Sequence, residues 1–165
     1  MARRVFFSFH YKLDNWRASQ IRNIGVIEGN RPATDNEWEK IKSNGEEAIK
    51  RWIDDQLHGK SCTVVLIGRE TAGRKWINYE IERSWNDGKG VLGIYVNNLK
   101  NSSGYTTIKG ENPFENFTME RDNAKLSSIV KTYNPPYSSS KSVYNYIRQN
   151  ISFWIDDAIK IRNNY

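Results

Sequence analysis

Residues 62–68 read CTVVLIG, an apolar, β-branched run without the polar alternation of a half-exposed strand. Such a run fits a strand of a parallel sheet covered on both faces, so the chain has to supply helices to two sides of it. The flanking sequence does so. Upstream, SNGEEAIKRWIDDQLHG places Ile49, Trp52, Ile53 and Leu57 at helical spacing, with Ser43 and Glu46 in a capping-box pattern and Gly59 as the stop. Downstream, RETAGRK turns into the helical segment RKWINYEIERSW, NDGKG breaks it, and VLGIYV at 91–96 returns as a second apolar strand. Strand, helix and strand make one β-α-β unit.

The rest of the chain extends this pattern. RRVFFSF at 3–9 reads as a first strand, followed by a helix capped by Asp14 and running to about Asn23. A brief strand is expected at 24–27, and RPATDNEW reads as a surface loop. Residues 97–138 are rich in Asn, Ser, Gly and Pro, with SSIVKTY as a candidate fifth strand. From 141 to 162, Val143, Ile147, Ile151, Trp154, Ile155 and Ala158 share one stripe of a long closing helix. The predicted architecture is a single α/β domain over 1–165: a flavodoxin-like, doubly wound parallel sheet of four to five strands flanked by helices.

Composition narrows the chemistry. One cysteine, Cys62, excludes an internal disulfide and suits a reducing compartment, where it reads as a small core side chain. Two histidines beside that cysteine argue against a zinc site, so no metal is expected. The net charge of +6 permits attraction to phosphates, but the basic residues are scattered and nucleic acid is not the expected partner. No run approaches 18 apolar residues, and the N-terminus lacks a signal-peptide pattern, so a cytoplasmic protein without a membrane span is expected. The loops GxGxxG, GxxxxGK[ST] and GxSxG are absent.

On the helix after residue 74, Ile77, Ile81 and Trp85 form the expected buried stripe, which places Glu80 at its rim, one turn from Trp76. There Glu80 is either an ordinary helix charge paired with Arg83 or a partly desolvated carboxylate suited to a sugar hydroxyl or a nearby positive charge. Ligands of open α/β sheets collect outside the carboxyl ends of the strands. Ser8, Phe9, His10 and Tyr11 end the first strand, so they and Glu80 are candidates to face one crevice; a surface-loop histidine is the alternative for His10. The helix start at Asp14, Asn15, Trp16 and Arg17 is a candidate phosphate site, with Arg17 reinforcing it.

Taken together, RRVFFSFHYKLDNWRASQIRNIGVIEGN, NEWEKIKSNGEEAIKRWIDDQLHGKSCTVVLIG and RKWINYEIERSWNDGKGVLGIYVNNLK resemble the bacterial TIR-like family, most closely the TIR-like proteins of Thoeris antiphage defence. The resemblance spans residues 3 to about 117. It implies cleavage of NAD at the nicotinamide-ribose bond by the glutamate of a W-C-x-x-E motif, which here reads Trp76-Ile77-Asn78-Tyr79-Glu80. Glu80 is thereby the implied catalytic residue. Phe6, Ser8, Phe9, His10, Tyr11 and Trp76 are the expected substrate wall, and NAD is a substrate with no separate cofactor. Further implications are a cyclic ADP-ribose isomer as product, a partner effector that it activates, a phage-derived trigger and a homo-oligomer. Ile77 stands where the motif has cysteine, Lys75 where a serine is frequent, and no proline-glycine BB loop is recognisable. A non-catalytic TIR-like interaction module is the alternative function.

Overall fold

In the computed structural model, which describes residues 3–25, 27–29 and 40–165, all six residues of the strand Cys62–Ile67 are buried. That strand is β3, at the centre of a five-stranded, wholly parallel sheet. The others are β1 (Arg3–Ser8), β2 (Ile27–Gly29), β4 (Gly90–Tyr95) and β5 (Thr132–Tyr133), in the spatial order β2-β1-β3-β4-β5. This is the flavodoxin-like order, with its switch point between β1 and β3. The register aligns Val5 with Cys62 and Ser8 with Val65.

Helices cover both faces. α1 (Tyr11–Arg22) and the long α4 (Ser140–Asn163) close one side, where Val5, Phe7, Val64, Leu66, Leu92 and Ile94 meet Ala18, Ile21, Ile147 and Ile151. α2 (Glu46–Leu57) and α3 (Lys75–Asn86) close the other, with Phe6 against Ile49, Ile53 and Leu57, and Val65, Ile67 and Val91 against Ile77 and Ile81. The six stripe residues expected on α4 are all buried. Full burial of each valine and isoleucine among them is worth roughly 1.5 to 3 kcal/mol, which makes α4 the main cover of its face. Segment 97–138 is irregular as expected, yet docked: Phe114 and Leu126, in short 3-10 turns, join the α3-side core, and Tyr133 of β5 stacks on Trp154 at 4.2 Å.

Several local expectations change. The strand expected at 24–27 lies at Ile27–Gly29, and RPATDNEW falls outside the described residues. α1 is capped by His10, whose Nδ1 accepts from the Leu13 N–H at 3.2 Å, because Asp14 is drawn inside the first turn to meet Arg17. The expected capping box also fails. Residues 40–43 form a helical turn of their own, the Ser43 hydroxyl donates back to the Lys40 carbonyl, and Gly45 at φ 90° begins α2. Glu46 instead pairs with Lys75 across to α3. On α3 the third stripe position belongs to Ser84, fully buried and bonded to the Thr63 hydroxyl at 2.7 Å, while Trp85 is half-buried beneath the Arg162 guanidinium.

Arg17 is the largest departure. It is 3% exposed, and its guanidinium donates to Asp14 Oδ1 at 3.0 Å and to the carbonyls of Leu99 at 2.7 Å, Tyr105 at 2.9 Å and Leu13 at 3.2 Å. It is not a phosphate ligand but the internal clamp that ties α1 to the 97–107 segment. Removing one partner of a buried ion pair strands the other charge. Arg17→Met is therefore expected to cost about 3–5 kcal/mol in urea denaturation, with faster hydrogen exchange across 99–107. Adding Asp14→Leu to that variant recovers much of the loss.

A candidate active site around Glu80

Alternation along β1 sends Phe6 and Ser8 to the α2/α3 side and Val5 and Phe7 to the other. Ser8 is the last residue of β1 and is 1% exposed, so its hydroxyl meets the layer between sheet and helices at the carboxyl edge. α3 is fixed over that edge from two directions: Ser84 donates to the Glu80 carbonyl at 2.6 Å while holding Thr63, and the Tyr79 hydroxyl donates to Asp54 of α2 at 2.8 Å. These contacts set the rotation of α3 and turn Glu80 toward Ser8.

Among the described residues the Glu80 carboxyl has no cation. Arg83, the partner that helix spacing offered, is engaged by Asp54 and Asp87, each at 3.4 Å. Glu80 as a residue is partly buried, and Oε2 is the sealed atom, without a hydrogen-bond partner among the described residues. Ser8 Oγ is likewise buried and unbonded. The two oxygens are close enough for the hydroxyl to favour the charged form, yet they fall short of a hydrogen bond. Burial wins, and it pushes the Glu80 carboxyl up to about 8, with Ser8 opposing. An orphaned buried polar group costs about 1–3 kcal/mol, so two of them at one strand end mark a place where stability is not optimised.

The other expected wall residues divide between the faces. Trp76 lies one turn before Glu80, packs on the Phe6 cluster and meets Tyr79 edge-on at 5.9 Å. Phe6 is 2% exposed beneath Ser8, where it packs against α2. Phe9 packs on the core of the opposite face and stacks on Tyr11 at 6.4 Å. His10 sits between the faces as the α1 cap; burial and then the Arg74 charge lower its pKa, against Asp14 and Glu70. Protonation at Nδ1 would break the cap, which agrees with that direction. The structure thus unites Phe6, Ser8, Trp76 and Glu80 on one side and leaves Phe9 and Tyr11 toward the other.

A second polar cluster lies on the α1 side, where the sequence offered the helix start at Asp14–Arg17 as a phosphate site but did not show a cavity. A cavity of about 180 Å³ there is lined by Asp14, Arg17, Arg69, Asn101, Thr106 and Thr107, with Leu13. Its signal was present: Asp14, Arg17, Ala18 and Ile21 fall at the spacing of a helix stripe, so two charged residues occupy core positions. Burial raises the Asp14 pKa, opposed by Arg17. Among the described residues there is no cluster of metal-binding side chains and no helix long and apolar enough to cross a membrane.

Residues 6–101, more than half of the chain, match the sequence model of the family described as Thoeris protein ThsB, TIR-like domain. The chain belongs to this ThsB TIR-like family. A protein of Bacillus cereus (strain MSX-D12), named "Putative cyclic ADP-D-ribose synthase ThsB1", is 40% identical over 120 residues, 70% of this chain. The match covers 62% of that relative's length. The ThsB match contains Phe6, Ser8, Trp76 and Glu80, the residues that the fold gathers on one side of the sheet.

The sign of the Glu80 effect on stability follows from linkage. The unfolded chain releases this proton near the ordinary glutamate value, whereas the folded chain holds it up to about 8, so Glu80 costs stability progressively as pH rises between those values. Glu80→Gln is expected to be neutral at pH 4 and to stabilise the fold increasingly up to pH 8, by at most about 1.4 kcal/mol per pH unit. Thermal melts of both proteins across that range check it.

Proposed function

We propose that this chain is an NAD-processing enzyme of Thoeris antiphage defence, with Glu80 as its catalytic carboxylate. The observation that supports this reading is a carboxyl without a cation among the described residues, sealed against Ser8 at the carboxyl edge of the sheet beside the switch point. The family match and the name of the Bacillus cereus relative agree with it.

In the proposed reaction the bond between the nicotinamide nitrogen and the ribose breaks, and its electron pair leaves with neutral nicotinamide. The ribosyl fragment carries oxocarbenium character, which an ionised Glu80 stabilises at close range in a poorly solvated site. The substrate prepares its own catalyst. NAD's pyridinium is a positive charge arriving beside a carboxyl raised by burial, and an opposite charge nearby favours the ionised form. Ser8 offers a hydroxyl to the resulting carboxylate or to the ribose, and Trp76 a flat wall. Capture of the cation by an adenine nitrogen of the same molecule gives a cyclic ADP-ribose isomer; capture by water gives ADP-ribose and a proton. The first outcome needs a folded-back substrate and exclusion of water. The cyclic product activates a partner effector in the cytoplasm, a phage-derived trigger switches the enzyme on, and a second copy of the chain completes the site.

Nicotinamide release from NAD by the protein, alone and with extract of phage-infected cells, tests the reading. Wild type is expected to release nicotinamide and Glu80→Gln at least about 100-fold less. Because the carboxylate has to be ionised, kcat/KM is expected to rise with pH through about 8. Equal rates in both proteins, or no release under either condition, would leave the non-catalytic interaction module as the function.

A further inference from the structure

We infer that Asp54 is a positioning residue of the proposed site: from α2 it holds the Arg83 guanidinium away from Glu80 and leaves that carboxyl to meet a cation brought by the substrate. The substrate's identity rests on the NAD reading above; the hold on Arg83 rests on the geometry of α2 and α3.

Within α3, Arg83 lies between two acids. Glu80 is three residues before it and Asp87 four after, and side chains at both spacings share a helix face. Each such pair is weak and the two are of similar strength, so α3 by itself does not decide which acid Arg83 takes. The deciding contact comes from α2. Asp54 Oδ1 accepts from the Tyr79 hydroxyl at 2.8 Å and lies 3.4 Å from Arg83 Nε, the atom that Asp87 also reaches at 3.4 Å. Tyr79 and Arg83 flank Glu80 in sequence, so one carboxylate oxygen engages α3 on both sides of it. Burial pushes the Tyr79 hydroxyl up to about 12, with Asp54 adding to the rise and Arg83 opposing, so the phenol remains a donor to Asp54 at neutral pH. The two helices are also joined elsewhere. Glu46, at the start of α2, pairs with Lys75 at the start of α3, and Trp76 and Tyr79 pack against the cluster of Ile49, Ile53 and Leu57.

The groups around Glu80 divide accordingly. Asp54 and Glu47 of α2 face Tyr79, and β1 and β3 bring the uncharged Ser8 and Thr63. His10, beyond the end of β1, answers to Arg74, Asp14 and Glu70. Ser8 is the neighbour that acts on the Glu80 carboxyl itself, and burial outweighs it. Released from Asp54, Arg83 stands one helical turn from Glu80, where an opposite charge favours the ionised form. Asp54 thereby decides whether the cation that ionises Glu80 is an internal arginine or the pyridinium of the substrate.

Carbon-13 NMR titration of the Glu80 carboxyl in the full chain tests this. Asp54→Asn keeps an acceptor for Tyr79 and removes the charge that draws Arg83. The Glu80 midpoint is expected to fall in Asp54→Asn, and by at least about one pH unit, a tenfold loss of proton affinity, when Asp87→Asn is added. Asp87→Asn alone is expected to leave it in place. Adding Arg83→Gln to the double variant is expected to return the midpoint to the wild-type value, which a mere loosening of the helix pair and entry of water would not allow. The pH profile of nicotinamide release is expected to move with the midpoint. An unchanged midpoint in Asp54→Asn and in the double variant overturns the inference. So does a fall that persists after Arg83→Gln, or an equal fall in Asp87→Asn alone. Failure of the NAD reading shows separately, as a wild type that releases no nicotinamide while these midpoints shift as expected.

Discussion

β3 cannot be left uncovered on either face. Its six residues present Val64 and Leu66 to one side and Val65 and Ile67 to the other, so helices have to pack on both. Two layers of packing then pass directly over the carboxyl edge of the sheet. Any polar residue that α1 or α3 carries on its inner face is taken out of water there. Asp14, Arg17, Ser84 and the Glu80 carboxyl are in that position. The same burial that holds the fold together thereby sets the electrostatics of that edge.

The two buried acids show two outcomes of this constraint. Asp14 has a cation three residues along its own helix, and Arg17 also collects three backbone carbonyls, so the charge cluster becomes an architectural joint. Glu80 has no such partner among the described residues. Its nearest helical candidate, Arg83, is drawn away by Asp54 and Asp87, and the Ser8 hydroxyl faces the carboxyl. Where a pair forms, the burial penalty is offset by Coulomb attraction and hydrogen bonds. Where none forms, the acid keeps its proton. A group held in that state, beside a strand end at a switch point, is poised to change charge when a cation approaches, which is the behaviour expected of a functional carboxyl.

Long-range pattern was legible in the sequence, and local polar competition was not. The β3 run, the α4 stripe and the order of strands and helices followed from hydrophobic period because burial of whole faces outweighs any single hydrogen bond. The caps failed for the opposite reason. Asp14 looked like a cap until Arg17 supplied a stronger partner, and Ser43 was engaged by a turn of helix preceding Gly45. Glu80 was legible as a rim residue, but its lack of a cation depended on Asp54, 26 positions away, competing for Arg83. The cavity beside Asp14 depended on residues 101–107 folding back over α1, which no local spacing reports.

The protonation of Glu80 itself tests the account most directly. Carbon-13 NMR of side-chain carboxyls in glutamate-labelled protein, with Glu80→Gln to assign the signal, follows its titration in the free chain. A midpoint near pH 8 is the result predicted here. A midpoint near the ordinary glutamate value of about 4.3 would show a solvated carboxyl and contradict the sealed site on which the proposed chemistry depends.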